Sequence, residues 1–330
     1  MSIVGMKHIY AIGCLTVCLA LLPAHAEEKQ APKAWTDPEA AGAEDPDFLI
    51  QGEYRDKTMG AQVVALGDGN FDVYILEGGL PGAGWEPGKS RTVVKGLRKE
   101  ESAETDGLTV ALKEGYLTLK TPGGTLQKLS RIQRESPTLD AKPAEGAVVL
   151  FDGTNADEWE NGKVVDGLLQ ATNVTSKRVF SDYRLHLEFR TPYMPAARGQ
   201  GRGNSGIYHS GRWETQILDS FGLEGRENET GGIYSVAKPR LNMCLPPLAW
   251  QTYDVDFTAA KFDAEGKRTA WPRITVRLNG VTVHEDLELT KDNTGSAPIS
   301  KPLTSPEGPI FLQNHSNPVA FRNIWIDPGK

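Results

Sequence analysis

The stretch GNSGIYHSGRWETQILDSFG, residues 203–222, places His209, Glu214, Gln216 and Asp219 in what reads as two β-strands. Such side chains bind hydroxyl groups and move protons, whereas an ordinary sandwich strand carries Ser, Thr or Lys on its wet face. Side chains alternate across a strand. If Ile207 points into a core, then Asn204, Gly206 and Tyr208 share the other face, with His209 beside Ile207 or at the strand end. In the next strand Trp213, Thr215 and Ile217 share one face, and Glu214 and Gln216 share the other. In PIFLQNH, residues 309–315, Ile310 and Leu312 point inward, leaving Phe311, Gln313 and His315 opposite. Three strands thus place Asn, Tyr, Glu, Gln and His on a non-core face. That set favours the floor of a binding cleft over a solvated surface, because ligand sites combine converging polar groups with aromatic rings. In a curved jelly roll such a concave face binds sugars.

The elements that must position these residues are short strands. From 146 to 328 the candidates include AVVLF, YRLHLEFRT, SGIYHS, WETQIL, YDVDFTAAKF, RITVRLNGVTVHE, PIFLQNH and FRNIWID. In Tyr183–Phe189 the odd positions are apolar and the even ones polar, one face in and one out. Asn279-Gly280 is a hairpin turn signal. Without a long amphipathic helix, this pattern predicts an all-β jelly-roll sandwich. Residues 46–135 predict a smaller β domain with AQVVAL, FDVYIL, RTVVKGLR, LTVALK, YLTLKT and TLQKLSRI as strands. Its glycine-rich loop GGLPGAGWEPG lacks the Gly-Lys-Ser/Thr of a phosphate-binding loop and reads as a shaped surface loop. Residues 27–45 and 136–145 read as linkers, the first of them flexible.

Residues 1–26 read as a signal peptide: Lys7 and His8, an apolar run, then Pro-Ala-His-Ala with cleavage after Ala26. The expected location is periplasmic or secreted, with no membrane association after cleavage. Cys14 and Cys18 leave with that segment. Only Cys244 remains, read as a buried small apolar residue rather than a nucleophile. The net charge of −7 argues against nucleic acid as a partner. His186 and His284 sit at strand positions that read as exposed. No His-x-His or His-Glu-x-x-His spacing exists, so no cofactor is evident. A hard divalent cation held by carboxylates and amides stays open.

The spacing Glu214-x-Gln216-x-x-Asp219 resembles the E-x-D-x-x-E pattern of laminarinase-like glycosidases, in which two carboxylates ~5–5.5 Å apart retain configuration. Here the middle acid is Gln, and a strict period of two turns Asp219 away from Glu214 unless a bulge intervenes. The blocks GNSGIYHSGRWETQILDSFG, ETGGIYSVAKPRLNMCLPPLAWQTYDVDF and GPIFLQNHSNPVAFRNIWI, in that order over about 146–328, resemble the 3-keto-disaccharide hydrolase domain family. The part from GEYRDKTMG to LPGAGW is similar to a small domain that precedes this one in some environmental bacteria. The resemblance implies a concanavalin-like jelly roll, an exported protein and a carbohydrate substrate: glycosides already oxidised at C3. A C3 ketone acidifies the C2 hydrogen, so one base can replace a carboxylate pair. Deprotonation gives an enediolate, the C1 group leaves, and water adds back. On this reading Glu214 and His315 are the acid–base pair, and Arg322 or a metal holds the enediolate. Asn204, Tyr208, Gln216 and Gln313 bind hydroxyls, Tyr234 and Trp250 form a stacking platform, and His209 and Asp219 join the substrate-binding set. Three of these residues have a structural alternative: for Trp250 core filling and for His315 a turn cap stand level with the functional reading, and Arg322, if buried, needs a carboxylate partner such as Asp219 and is structural. A non-catalytic carbohydrate-binding protein and a retaining glycosidase using Glu214 and Asp219 are the competing functions.

Overall fold

The computed structural model describes residues 1–2, 32–98 and 102–328. The expected signal segment, its cleavage site, Cys14 and Cys18 lie outside the described residues. Short alternating runs punctuated by Gly, Asn and Asp turns produce an all-β protein, as their period of two requires. In the amino-terminal part eight strands form one antiparallel sheet. Its order is Arg91–Leu97, Asn70–Glu77, Met59–Gly67, Gly52–Arg55, Leu126–Ile132, Tyr116–Lys120, Leu108–Lys113 and Ala103–Thr105.

The sandwich follows from Val148 onward. Its larger sheet runs Val164–Val165, Leu168–Gln170, Ala320–Pro328, Tyr183–Arg190, Gln251–Thr258, Arg273–Leu278 and Val281–Glu288, with Val148–Phe151 joined to Ala320–Pro328. The smaller sheet runs Trp159–Glu160, Val174–Ser176, Phe311–Leu312, Ser205–His209 and Trp213–Ile217. Leu185, Leu187, Phe189, Tyr253, Val255 and Phe257 from the first meet Ile207, Trp213, Ile217 and Leu312 from the second in one core. Each such side chain contributes ~1.5–3 kcal/mol by leaving water. The Asn279-Gly280 turn forms with φ of 50° and 77°, the left-handed pair that the hairpin needs.

Pro32–Lys330 forms one compact unit, and two segments read as linkers are held within it. The Pro- and Ala-rich arm folds into helices Pro38–Glu44 and Pro46–Ile50, each started by an Asp-Pro pair. Asp37 accepts from Ala40 N and Asp45 from Asp47 N. An aspartate cap followed by proline at the first helical position is a helix start, which composition alone disguises. Trp35 then exchanges both backbone hydrogen bonds with Tyr193, at 3.0 and 2.9 Å.

Residues 136–145 lie across the outer face of the larger sheet. Ser136 Oγ is 2.6 Å from Thr252 Oγ1, Thr138 Oγ1 donates to Asp254 at 2.6 Å, and Asp140 N donates to Glu188 at 2.6 Å. That cover buries the polar face of Tyr183–Arg190, where His186 and Glu188 are 0% exposed. His186 is therefore no surface residue. Burial pulls its pKa down, but hydrogen bonds donated by the ring to the Asp254 and Glu188 carboxylates win and raise it. His284 is buried too, its Nε2 2.8 Å from the Gly231 carbonyl, with its pKa lowered by burial. Cys244 packs with Val64, Tyr74 and Phe221 between the amino-terminal sheet and the sandwich loops. Burial pushes its thiol up to about 12. Among the described residues no helix is long and apolar enough to cross a membrane.

Candidate functional site

The smaller sheet builds the site from three adjacent strands. Ser205–His209 and Trp213–Ile217 pair with Gly206 opposite Gln216 and Tyr208 opposite Glu214. Phe311 lies opposite Tyr208 on the other side. Period two then divides the residues. Ile207, His209, Trp213, Thr215 and Ile217 face the core, and Gly206, Tyr208, Glu214 and Gln216 face away from it. The turn between the strands uses Ser210 and Gly211 at φ 52° and 64°.

Glu214 is the centre of the outward group. It is 2% exposed. Tyr208 Oη donates to its Oε2 at 2.7 Å. The Gln216 amide lies 3.0 Å from Oε1 and 2.9 Å from the Ser205 carbonyl when its nitrogen faces them. Gln313 Nε2 donates to Tyr208 Oη at 3.2 Å. The Glu214 side chain lies flat over Gly206, where an added Cβ would come within 2.2 Å of Oε1. Only glycine leaves room for the carboxylate at this position. Thr294 Oγ1 accepts from Glu214 N at 3.0 Å, and Tyr234 N donates to Glu214 O at 3.1 Å.

The electrostatics follow from burial. Desolvation raises the Glu214 pKa to about 7, and the Tyr208 hydrogen bond opposes that only in part. The Tyr208 phenol is itself pushed up, first by burial and then by the Glu214 charge, so it stays a donor. Near pH 7 the site therefore holds a carboxyl group that accepts and returns protons with similar ease.

The structure joins Tyr208, Glu214, Gln216 and Gln313 directly. Asn204 lies beside Gln200, whose side-chain oxygen accepts from Asn204 Nδ2 at 3.1 Å; Gln200 Oε1 meets the Gln216 nitrogen at 3.0 Å when that amide is turned the other way, away from Glu214. Tyr234 stands half-buried, near enough for its phenol to act on that of Tyr208. His315 is exposed, on a loop anchored by Gln313 N to Gly206 O and by Asn204 N to Asn317 Oδ1. It makes no hydrogen bond or ion pair among the described residues. Gln200 and Asn228 were not foreseen. Asn228 O accepts from Gln200 Nε2 at 2.8 Å. Gln200 lies in the one-turn 3-10 helix Gly199–Gly201 and Asn228 in a turn, where no strand period announces which way a side chain points.

Four expected site residues lie elsewhere. His209 is on the core face, 0% exposed, between Tyr183 Oη and Thr215 Oγ1 at 2.9 Å each. Burial drives its pKa down to about 3, so it packs as a neutral ring. Asp219 is buried in an ion pair with Arg202 at 2.6 Å, which commits its carboxylate. Arg322 belongs to the larger sheet, so it faces out from the opposite side of the sandwich. There it meets Glu188 at 2.7 Å and Asp140 at 3.1 Å. Its partner is thus Glu188, where the sequence suggested Asp219. Four hydrogen-bond donors around Glu188, among them Arg322, outweigh its burial and hold its pKa down at about 2. Trp250 carries the guanidinium carbons of Arg322 and Arg190 over its ring, at 4.3 and 4.9 Å. It therefore belongs to that opposite face and forms no platform with Tyr234. Among the described residues no group of three or more His, Cys, Asp or Glu is arranged to hold a metal ion.

Residues 146–327 match the family described as the 3-keto-alpha-glucoside-1,2-lyase-like domain, a little over half of the chain. One crystal structure of a "putative glycosyl hydrolase" from Parabacteroides distasonis ATCC 8503 is 33% identical, with a TM-score of 0.50. The match covers 56% of this chain and 84% of that one. A second from the same organism, described in the same words, is 18% identical with a TM-score of 0.41, covering 56% and 95%. No curated protein matches the chain.

Proposed function

This chain belongs to the 3-keto-alpha-glucoside-1,2-lyase-like domain family, and from that membership we propose a carbohydrate-active enzyme that cleaves 3-keto-glycosides. Glu214 removes the C2 proton, the electrons move into the C3 carbonyl, and the C1 group is eliminated. Water then adds to complete net hydrolysis. The observation that carries this reading is the buried Glu214 carboxyl with its pKa pushed up to about 7. A base of that strength suits a proton acidified by a neighbouring ketone. The amides of Gln200, Asn204, Gln216 and Gln313 supply the donors and acceptors that sugar hydroxyls require. His315, on the loop beginning at Gln313, is the proposed donor to the leaving oxygen. With Asp219 committed to Arg202, a retaining mechanism on Glu214 and Asp219 loses its second carboxylate.

The test uses purified protein with a 3-keto-glucoside and with the matching unoxidised glucoside, in deuterium oxide. Release from the keto sugar alone, with deuterium at C2, is the expected result. Release from the plain glucoside supports a conventional glycosidase, and binding without turnover supports a lectin-like protein. Export of the chain is part of the proposal, and the amino terminus of the mature protein should begin at Glu27.

A further inference from the structure

We infer that Tyr208 is a catalytic residue, whose hydroxyl orients the Glu214 base and then turns onto the C3 oxygen as negative charge builds there. The inference rests on the reaction proposed above and adds a role within it.

The geometry provides one hydroxyl with one proton and two neighbours. Tyr208 Oη donates to Glu214 Oε2 at 2.7 Å and accepts from Gln313 Nε2 at 3.2 Å. With Gln313 occupying a lone pair, the phenolic proton points at the carboxylate. The Gly295 carbonyl, 3.4 Å away, is the other acceptor nearby. Among the described residues, three arginines of this half are engaged elsewhere. Arg212 spends its guanidinium on the carbonyls of Asp292, Lys301 and Pro302. Arg202 is bound to Asp219, and Arg322 faces the opposite side. The donors bonded around Glu214 itself are neutral: Tyr208 directly, Gln216 beside it, and Gln313 behind the phenol.

The chemistry makes the hydroxyl's movement favourable. In the first step the C2–H bond breaks and its proton goes to Glu214. The bonding pair forms C2=C3, and the carbonyl π pair moves onto the C3 oxygen. Glu214 is now a neutral acid and a weaker acceptor, while the C3 oxygen has become a charged and stronger one. Tyr208's proton therefore finds its better partner on the substrate as charge transfers. A bond that strengthens only as the transition state forms accelerates the step rather than merely tightening binding. Burial opposes formation of the phenolate, so the proton is shared with the C3 oxygen and not given up.

The experiment compares wild type with Tyr208→Phe on a 3-keto-glucoside, following both product release and C2 deuterium exchange. The expected result is a loss of ~10²–10³-fold in kcat, the size seen for one oxyanion donor, with KM changed less than about threefold. The acid limb of the rate profile should also move to higher pH, because the variant removes the Tyr208 hydrogen bond, which holds the Glu214 pKa down. A role confined to that bond would be recovered once the pH is raised above the shifted limb, whereas loss of the contact to the C3 oxygen leaves the kcat plateau lowered at every pH. Gln313→Ala provides a second variant, since it frees the hydroxyl's lone pair without removing the hydroxyl. It should cost about tenfold in kcat if the phenol's aim matters. The inference is overturned if Tyr208→Phe turns over within about threefold of wild type, or if Tyr208→Phe does not fold and Gln313→Ala is fully active. A wild-type protein that neither cleaves the keto sugar nor exchanges C2 overturns the proposed reaction itself, a distinguishable failure.

Discussion

Replacing Glu214 with glutamine should make the protein more stable at neutral and alkaline pH while removing its turnover. In the fold this carboxyl sits at 2% exposure with its pKa moved from 4.5 to about 7. Below pH 4.5 it is protonated in both folded and unfolded chains, and its ionisation costs nothing. As pH rises from 4.5 towards 7 the unfolded chain releases the proton and the folded chain keeps it, so stability falls. Above about 7 both states are ionised and the penalty levels off at about 3 kcal/mol. Glutamine keeps the shape and an oxygen for Tyr208 but never ionises, so it escapes that penalty. Denaturant unfolding of both proteins from pH 4 to 9 gives the answer directly. The variant's advantage should be near zero at pH 4, grow through pH 5–7 and then flatten. A difference that stays constant across that range would refute the argument that burial controls this group, and with it the case for Glu214 as a near-neutral base. Catalysis should meanwhile fall by at least ~100-fold, as for loss of an acid–base group.

Gly206→Ala should displace the Glu214 carboxylate, since its Cβ would sit 2.2 Å from Oε1. Steady-state kinetics should show a loss of ~100-fold or more, and denaturant unfolding a loss of ~1–3 kcal/mol from overpacking. Arg322→Ala should keep turnover within about threefold but cost ~3 kcal/mol by leaving buried Glu188 without its cation. In wild type the lowered Glu188 pKa contributes stability above about pH 4.5 that is lost as pH falls through about 2. That loss should be smaller in the variant, as acid titrations of the two will show. His209, at about 3, should show no imidazole titration by nuclear magnetic resonance between pH 5 and 9.

The strand period made the site's face legible. Tyr208, Glu214 and Gln216 sit where alternation from Ile207 and Trp213 puts them, because one buried face forces the register. What alternation cannot say is which sheet a strand joins. Arg322 lies after the same apolar run that carries Gln313, yet Phe311–Leu312 pairs in the smaller sheet and Ala320–Pro328 in the larger. A few residues of loop carry the chain from one side of the sandwich to the other, and the sequence gives no sign of the crossing. His186 looks exposed in the sequence for a related reason. Its exposure depends on residues 136–145, some fifty positions earlier, and not on its own strand. The helices Pro38–Glu44 and Pro46–Ile50 are too short to show a helical period, so only their Asp-Pro starts were visible.

Two arginines give the amino-terminal sheet a stake in the chemistry. Arg198 donates to Leu66 O at 2.8 Å and Arg202 to Ala65 O at 3.3 Å, so both ends of the turn bearing Gln200 are tethered to the carboxy-terminal end of the Met59–Gly67 strand. A chain trimmed to the matched residues 146–327 would release those tethers, leaving Arg198 only the nearby Pro195 and Ala197 carbonyls and Arg202 only Asp219. The turn bearing Gln200 would then lose its outer supports, and the proposed hydroxyl-binding wall beside Glu214 should loosen there. The family-matched half thus inherits part of its working geometry from the half that precedes it.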